Sequence, residues 1–346
     1  DTDRSRGLGD VYKRQLQGVL VKTRDWNVTA GFNINFNRGK VDKLADNVTG
    51  LYGTEWATSS TFPKSDYVLK EGRPVGLVRG LTADGFYTTD DFTYANGVYT
   101  LKEGVADVSS AVFPNYHLHN GMNERPAGQL AYPGMAKFKD LNDDGIINDD
   151  DVDVIGDMTP VHTGGFNINA TYKNFDLGLY FNWSYGNEIY NVNKLAALYG
   201  YKEGAVYENK LSIVKDCYKI YDVVNGELVA LTTPEQLNAA NANAKLPLAY
   251  SENGYVSTLG IEDGSYLRLN TLTLGYTLPK SMLQKAGISN LRVYGSIYNV
   301  FTITGYSGID AEVSTSTSTK TYPQLGMDWG TYPRARSFVL GVNLSF

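Results

Sequence analysis

The feature that most constrains the fold is a two-residue alternation of apolar and polar side chains that recurs along the chain. It is clearest in the last residues, where the opposite face is small and polar apart from Val339. The apolar face there consists of Phe338, Leu340, Val342, Leu344 and Phe346. A strand that crosses a bilayer needs roughly 9–11 residues with this period. A half-buried strand of a soluble sandwich alternates in the same way, so one strand alone does not separate the two folds.

Recurrence of the pattern upstream favours a barrel. In each repeat the polar face is mostly Asn, Thr, Ser, Gly or Tyr, which suits a water-filled lumen. Aromatic residues lie near strand ends, as in the belts at membrane interfaces. The repeats span residues 28–37, 166–172, 175–185, 272–278 and 291–297. The sequence therefore predicts an all-β fold built from antiparallel transmembrane strands.

The predicted connections between these strands fall into two length classes. Outer-membrane barrels keep short turns on the periplasmic side and long loops outside. Successive strands cross the membrane in opposite directions. If Phe346 ends in the periplasm, counting strands back from it places every long connection on the outer side. The short connections are near 23–25, 173–174 and 279–289, and the long ones are near 41–161, 193–264 and 305–334.

Smaller features of the long connections are also predicted. Two patches of the first connection, 74–87 and 129–138, are either wall strands or an outer hairpin. Segment 194–219 is the only one with weak helical character.

Composition excludes several classes of protein. The chain has 346 residues, and no apolar run approaches the roughly 20 residues of a membrane helix. A net charge of −6 argues against a nucleic-acid surface. The one cysteine, Cys217, excludes an internal disulfide framework and a multi-cysteine metal site.

Residues 1–15 are charged and lack the apolar segment and cleavage site of a signal peptide. They resemble a translated library adapter. We therefore expect 1–15 to be a non-native leader.

Four stretches, in order, resemble SusC/RagA-type TonB-linked outer-membrane proteins (TonB-dependent receptors). The most specific are YLRLNTLTLGYTLP at 266–279 with LRVYGSIYNV at 291–300, and YPRAR at 332–336. The others are VLKEGRPVG at 68–76 with ADGFY at 83–87, and DLNDDGIIN at 140–148 with IGD at 155–157 and TGGF at 163–166.

This resemblance implies a segment of a 22-stranded barrel in the cell outer membrane, with long extracellular loops. Such proteins import glycan oligosaccharides or peptides, work with a SusD-like lipoprotein and draw energy from TonB through an amino-terminal plug. By this resemblance we expect residues 16–346 to be the carboxy-terminal part of such a barrel. We expect the signal, the TonB-contacting segment, the plug and most of the wall to be missing from the chain. Unpaired edges of an open sheet are costly in lipid, so we expect no pore from this chain alone.

Residues 140–151 have the ligand spacing of an EF-hand or dockerin calcium loop. Carboxylate and amide oxygens lie at positions 1, 3, 5 and 12, a carbonyl lies at position 7, and Gly145 allows the turn. The predicted Ca²⁺ ligands are Asp140, Asn142, Asp144, Ile146 and Asp151. A solvated acidic turn is the alternative. We expect the ion to rigidify an outer loop.

Other candidate sites are weaker. His117 and His119 have no third metal ligand nearby, and adjacent carboxylates on a strand point to opposite faces, so a glycosidase pair is not formed. Trp329 and Tyr322 are the best candidates for substrate contacts, because aromatic rings stack on sugars and peptide side chains. Loop tyrosines considered for the same role are Tyr199, Tyr201, Tyr250 and Tyr255.

The predicted function is therefore that of an importer. We expect it not to be an enzyme, to have no organic cofactor and to bind no nucleic acid. The alternative is a secreted, calcium-stabilised β-sandwich that binds glycans or cells. That alternative explains the acidic loop and the aromatic residues, but it does not explain the sorting of loop lengths.

Overall fold

A computed structural model describes residues 9–113, 124–198, 211–249, 254–284, 287–313 and 324–346. Its strands are β1 (Gly9–Lys22), β2 (Trp26–Gly39), β3 (Leu51–Gly53), β4 (Tyr67–Leu69), β5 (Leu77–Gly80), β6 (Ala83–Phe86), β7 (Phe92–Ala95), β8 (Val98–Leu101), β9 (Asp107–Val108), β10 (Ala136–Phe138), β11 (Ile146–Ile147), β12 (Asp153–Asp157), β13 (His162–Tyr172), β14 (Phe175–Tyr185), β15 (Glu188–Asn191), β16 (Tyr221–Val224), β17 (Glu227–Ala230), β18 (Ile261–Asp263), β19 (Tyr266–Thr277), β20 (Asn290–Thr304), β21 (Met327–Asp328) and β22 (Ser337–Ser345). The α-helices are α1 (Val192–Leu198), α2 (Pro234–Asn241) and α3 (Lys280–Leu283). Short 3-10 turns lie at Thr89–Asp91, Asp149–Asp151, Ser212–Asp216 and Thr258–Gly260.

Seven long strands form one antiparallel sheet, which we call the wall sheet. Its order is β1-β2-β13-β14-β19-β20-β22, so each strand pairs with the next long strand along the chain. These strands have 9 to 15 residues, which is enough to cross a bilayer at a tilt. The predicted antiparallel all-β fold is confirmed.

Register aligns the apolar faces of neighbouring strands in rows across the wall sheet. Phe32 lies opposite Phe166, which lies opposite Phe181. One turn-side row is aromatic across four strands, and its members are Trp26, Tyr172, Phe175 and Tyr276. At the other end His162 stacks on Tyr185 with ring centroids 5.0 Å apart. Aromatic rows at both ends of an aliphatic band are typical of a membrane-spanning wall.

All three long connections leave the wall sheet at the same end, as loop parity predicted. They join β2 to β13, β14 to β19, and β20 to β22, whereas the connections at the opposite end are short. We call the described residues of 40–161, 186–265 and 305–336 the loop body.

Burial is divided unequally between the wall sheet and the loop body. Among the residues that the structure describes, the largest fully buried side chains all lie in the loop body: Tyr67, Tyr87, Tyr99, Tyr132, Tyr190, Leu77, Leu81, Met135, Ile147, Ile189 and Leu195. On the wall sheet, by contrast, Leu274 of a central strand is 52% exposed and Phe175 is 50% exposed. A soluble monomer rarely exposes a continuous apolar surface of this extent, so the apolar face of the wall is suited to lipid.

The structure resolves the assignment of the two patches in the first long connection. In 74–87, β5 pairs with β4 and β12, and β6 pairs with β10, which lies in 129–138. Both patches therefore belong to the loop body, outside the wall sheet.

The predicted helical region contains part of α1 and a 3-10 turn, but α2 lies beyond it, so calling 194–219 the only helical segment was wrong. Thr233 caps α2 by accepting a hydrogen bond from the Gln236 amide, and Pro234 follows at the first turn. None of the helices in the described ranges has the length and apolarity needed to cross a membrane.

Strand β1 includes residues that the sequence assigned to the leader. Tyr12 lies opposite Phe36, and Gln15 lies opposite Asn33. That residues 1–15 are a non-native leader stays a prediction.

Candidate functional site

Amides, hydroxyls and glycines line the polar face of the wall sheet. Asn167 lies opposite Gly31, where a Cβ atom would collide with the Asn167 amide oxygen. The Thr273 and Ser296 hydroxyl oxygens are 2.8 Å apart across β19 and β20. This face offers donors and acceptors to a solute at the positions that the alternation predicted.

A carboxylate and a guanidinium meet on this face across an intervening strand. Arg292 Nε of β20 donates to Asp176 Oδ1 of β14 at 2.8 Å. Gly275 of β19 lies between them, and a Cβ atom at that position would collide with both side chains. The pair neutralises two charges on the polar face.

At the loop end of the wall, Arg268 of β19 joins the last long connection to the sheet. Its side chain is 3% exposed, and it forms an ion pair with Asp310. It also donates to Glu312 Oε2 at 3.2 Å and to Thr302 Oγ1 at 2.9 Å. Arg334 contacts the other oxygen of Glu312 at 3.1 Å. The first residues of the last connection are therefore held against the polar face.

A second polar cluster ties the same connection to β18 and α1. The Ser307 amide donates to Glu262 Oε2 at 2.9 Å, and Lys194 Nζ lies 3.1 Å from Glu262 Oε1. Burial by itself raises the pKa of the Glu262 carboxyl, but the hydrogen bonds from Ser307 and the Lys194 charge outweigh burial and lower this pKa below its usual value.

Tyr306 and Asp328 form a further contact in this region. The Tyr306 hydroxyl donates to Asp328 Oδ2 at 2.6 Å. Burial, with this hydrogen bond and the nearby negative charge, raises the pKa of Tyr306, so the phenol stays protonated.

The predicted calcium loop is folded around its own carboxylates. Asp140 accepts hydrogen bonds from the amides of Asp144 and Gly145, at 3.3 and 2.7 Å. Asp143 and Gly145 have positive φ angles of 58° and 84°, which the tight turn requires. The Ile146 carbonyl, the predicted ligand at position 7, accepts from Asn148 Nδ2 at 3.2 Å.

Asp151 closes this loop. It is fully buried, and its carboxylate accepts from the amides of Leu141 and Asn148 at 2.7 and 2.8 Å. Asn142 donates its side-chain amide to Asp144 Oδ2 at 3.0 Å. Among the described residues, no three His, Cys, Asp or Glu side chains are grouped as a metal site would need. The calcium site therefore stays a prediction, and Asp151 already has a structural role in closing the loop.

The predicted aromatic contacts are only partly described. Trp329 follows β21 and is 51% exposed, whereas Tyr322 lies outside the described residues. Tyr255 is 2% exposed and packs against Phe138 with ring centroids 5.1 Å apart, so it belongs to the core of the loop body. The other candidate loop positions, 117, 119, 199, 201 and 250, also lie outside the described residues.

Sequence reasoning missed Asp176, Arg268 and Arg292. Arg268 has the parity of the apolar Leu272 and reaches the polar face only through the register shift between Leu269 and Thr271. Asp176 and Arg292, by contrast, are charged residues at polar-face positions of the predicted strands. That placement was a usable signal, because a charge inside a membrane-spanning strand is rare and needs a partner or water.

No protein family model matches the chain. The chain is 28% identical over 340 residues to TonB-dependent receptor P3 of Formosa agariphila, covering 97% of this chain and 28% of that receptor. It is 26% identical over 333 residues to TonB-dependent receptor SusC of Bacteroides thetaiotaomicron, covering 94% of this chain and 25% of SusC. The chain thus spans only about a quarter of the length of these relatives.

Among solved structures, the fold matches the RagAB peptide transporter with a TM-score of 0.64 at 21% identity. The match covers 98% of this chain and 29% of the transporter chain. This likeness shows the fold: an antiparallel segment of a transmembrane barrel that carries long extracellular loops. Sequence and fold thus agree with the motifs, and the recognition of this chain as a SusC/RagA-type TonB-dependent receptor sequence is confirmed.

Proposed function

We propose that the chain supplies part of the wall, lumen lining and outer loops of an importer in the cell outer membrane. The observation that carries the proposal is the wall sheet, whose apolar side chains are aligned in rows on one face and whose amides and hydroxyls line the other. A surface that is apolar outside and polar inside is what a solute path through lipid needs.

The imported solutes are glycan oligosaccharides or peptides. The polar face supports this proposal because amide and hydroxyl groups can exchange hydrogen bonds with both classes of solute. A SusD-like lipoprotein covers the loop body from outside, and TonB supplies energy. The relatives are named as receptors and the structural neighbour as a transporter, which supports a role other than that of an enzyme.

Fractionation and uptake test this proposal in cells that make the protein. We expect it in the outer-membrane fraction, resistant to extraction by alkaline carbonate. Deleting its gene should abolish uptake of a labelled oligosaccharide or peptide from a panel, and deleting TonB should have the same effect. Release into the soluble fraction would contradict the importer and favour the secreted sandwich.

Calcium is proposed to bind the loop at 140–151 and to rigidify it. The support is the fold of the loop, whose turn directs Asp140, Asn142 and Asp144 toward one another through hydrogen bonds of 3.0 to 3.3 Å. Carboxylates crowded in this way repel one another unless a cation or hydrogen-bond donors compensate their charge.

The calcium proposal is tested with two variants of equal charge change. In the intact receptor, Asp144→Ala should weaken calcium binding about tenfold or more, because it removes a carboxylate ligand. Asp143→Asn removes a neighbouring carboxylate outside the ligand set and keeps a residue type that tolerates positive φ. Equal calcium affinity in Asp144→Ala and wild type, measured by titration calorimetry, would rule the site out.

A further inference from the structure

A pocket of about 540 Å³ lies on the loop body, apart from the polar face of the wall sheet. Four parts of the chain form it: the turn at 59–65, Arg79 of strand β5, residues 110–112, and Asp149. Its charged lining residues are Lys64, Arg79 and Asp149. The two cations and one carboxylate leave one net positive charge in the pocket.

The Arg79 guanidinium is held in place by neutral groups. Nη1 donates to Ser65 Oγ at 2.8 Å, and Cζ lies 4.8 Å from the centre of the Tyr52 ring. These two contacts orient the planar group and leave other N–H donors for a ligand, since a guanidinium carries five.

Neither Arg79 nor Lys64 forms an ion pair within 4.0 Å in the described part of the chain. Burial lowers the pKa of Arg79 from its usual value more than the nearby Tyr52 and Asp149 raise it. A half-buried guanidinium without a carboxylate partner is costly, and an anionic ligand would compensate that cost.

We propose that this pocket binds a carboxylate of the imported ligand, which rests on the importer proposed above. A carboxylate fits because its two oxygens match the fork of a guanidinium, and because a single negative charge balances the pocket. Ser65 and Ser110 line the same pocket and can bind hydroxyl groups beside the carboxylate. The carboxylate can come from an acidic sugar or from the carboxy terminus of a peptide.

Matched ligand pairs test this proposal in the intact, solubilised receptor by titration calorimetry. One pair is trigalacturonate and its trimethyl ester, and the other is N-acetyl-trialanine with a free or an amidated carboxy terminus. We expect the acid member of one pair to bind more tightly than its uncharged counterpart, which identifies the source of the carboxylate. Equal binding of acid and uncharged members in both pairs would overturn the proposal.

Substitutions then locate the effect. Arg79→Gln should weaken binding of the acid about tenfold or more and leave the uncharged member unaffected, since a hydrogen bond to a charged group is lost. Arg79→Lys keeps the charge without the fork and should fall in between. Arg73→Gln, at an exposed arginine outside the pocket, should match wild type. Unchanged preference for the acid in Arg79→Gln would also overturn the proposal.

Uptake by whole cells distinguishes a failure of this pocket proposal from a failure of the proposed import function. If the purified receptor discriminates through Arg79 but cells take up neither probe, the pocket stands and import of these probes fails. If cells import a probe whose affinity does not change when Arg79 is substituted, import stands and the pocket proposal fails.

Discussion

At the scale of single residues, glycine at position 275 lets two charged side chains meet across the wall sheet. Asp176 and Arg292 lie on strands that do not pair with each other, and β19 runs between them. Any side chain on that strand at this point would fill the space where the carboxylate and guanidinium form their hydrogen bonds. The ion pair therefore depends on a residue that takes no part in it.

Gly275→Ala should lower the free energy of unfolding by about 1–3 kcal/mol, because an added methyl group in a filled space forces the pair apart. Gly18→Ala is the matched control, since a Cβ there meets no heavy atom within 4 Å. Urea unfolding of the intact protein in detergent measures both variants. Equal stability of the two would contradict the role of Gly275.

Arg268 is the residue whose loss should affect the last long connection most. Arg268→Met leaves the carboxylates of Asp310 and Glu312 without their buried partner, which costs about 3–5 kcal/mol when such a pair is broken. We expect faster chymotrypsin cleavage after Tyr306, whose side chain is buried in the folded protein.

Arg334→Met is the control for this prediction. Arg334 also contacts Glu312, but its side chain is 49% exposed, so its pair is worth about 0–1 kcal/mol. Cleavage rates should stay near those of wild type. If both variants were cleaved equally fast, Arg268 would have no special part in holding the connection.

At the scale of elements, strands and helices differ in how well the sequence predicted them. Six of the seven wall strands, all but β1, were predicted because a two-residue period is a local signal that membrane crossing enforces. Helix α2 was missed although its capping box, with Thr233 and Gln236, can be read locally. The short strands of the loop body have two to five residues, which is too few to show such a period.

Two neighbouring positions of β19 test the assignment of its faces. Leu272 lies in an aliphatic row opposite Leu179 and Ile297, and Thr271 lies on the polar face opposite Tyr180 and Tyr298. Leu272→Arg should cost about 2–4 kcal/mol, because a charge near the middle of the lipid-facing side loses its water.

Thr271→Arg should be tolerated, since its charge reaches a wet surface. The fraction of folded protein in the outer membrane, read from the shift of the unheated band on a gel, measures both variants. A greater loss for Thr271→Arg than for Leu272→Arg would mean that the faces are assigned the wrong way round.

At the scale of the whole molecule, the wall sheet and the loop body are suited to different surroundings, lipid for the wall sheet and water for the loop body. The loop body has its own buried core, whereas the wall exposes apolar rows that require lipid. Arg268 of the wall and Asp310 of the loop body join the two. The Glu262 cluster ties parts of the loop body to one another next to this junction, so acid should loosen the loop body before it affects the wall.

The contacts among β18, α1 and the last long connection should weaken below pH 4.5 through Glu262. Its folded-state pKa is lowered below the usual 4.5, so its contacts stabilise the fold fully above that pH and are lost as the pH falls through the folded-state value. Glu262→Gln should therefore flatten the dependence of unfolding on pH in this window. Glu103→Gln, at an exposed position, should keep the wild-type slope; an unchanged slope in Glu262→Gln would refute the prediction.

The sequence by itself determined the alternation of the wall strands, the side on which the long connections lie, and the family that the motifs resemble. These features depend on neighbouring residues and on segment lengths, both of which are visible in the sequence. Only the tertiary structure decided that residues 74–87 and 129–138 join the loop body, and that Asp151 closes its loop from a buried position. It also decided which charges meet: Asp176 and Arg292 are 116 residues apart, and strand register rather than local pattern brings them together.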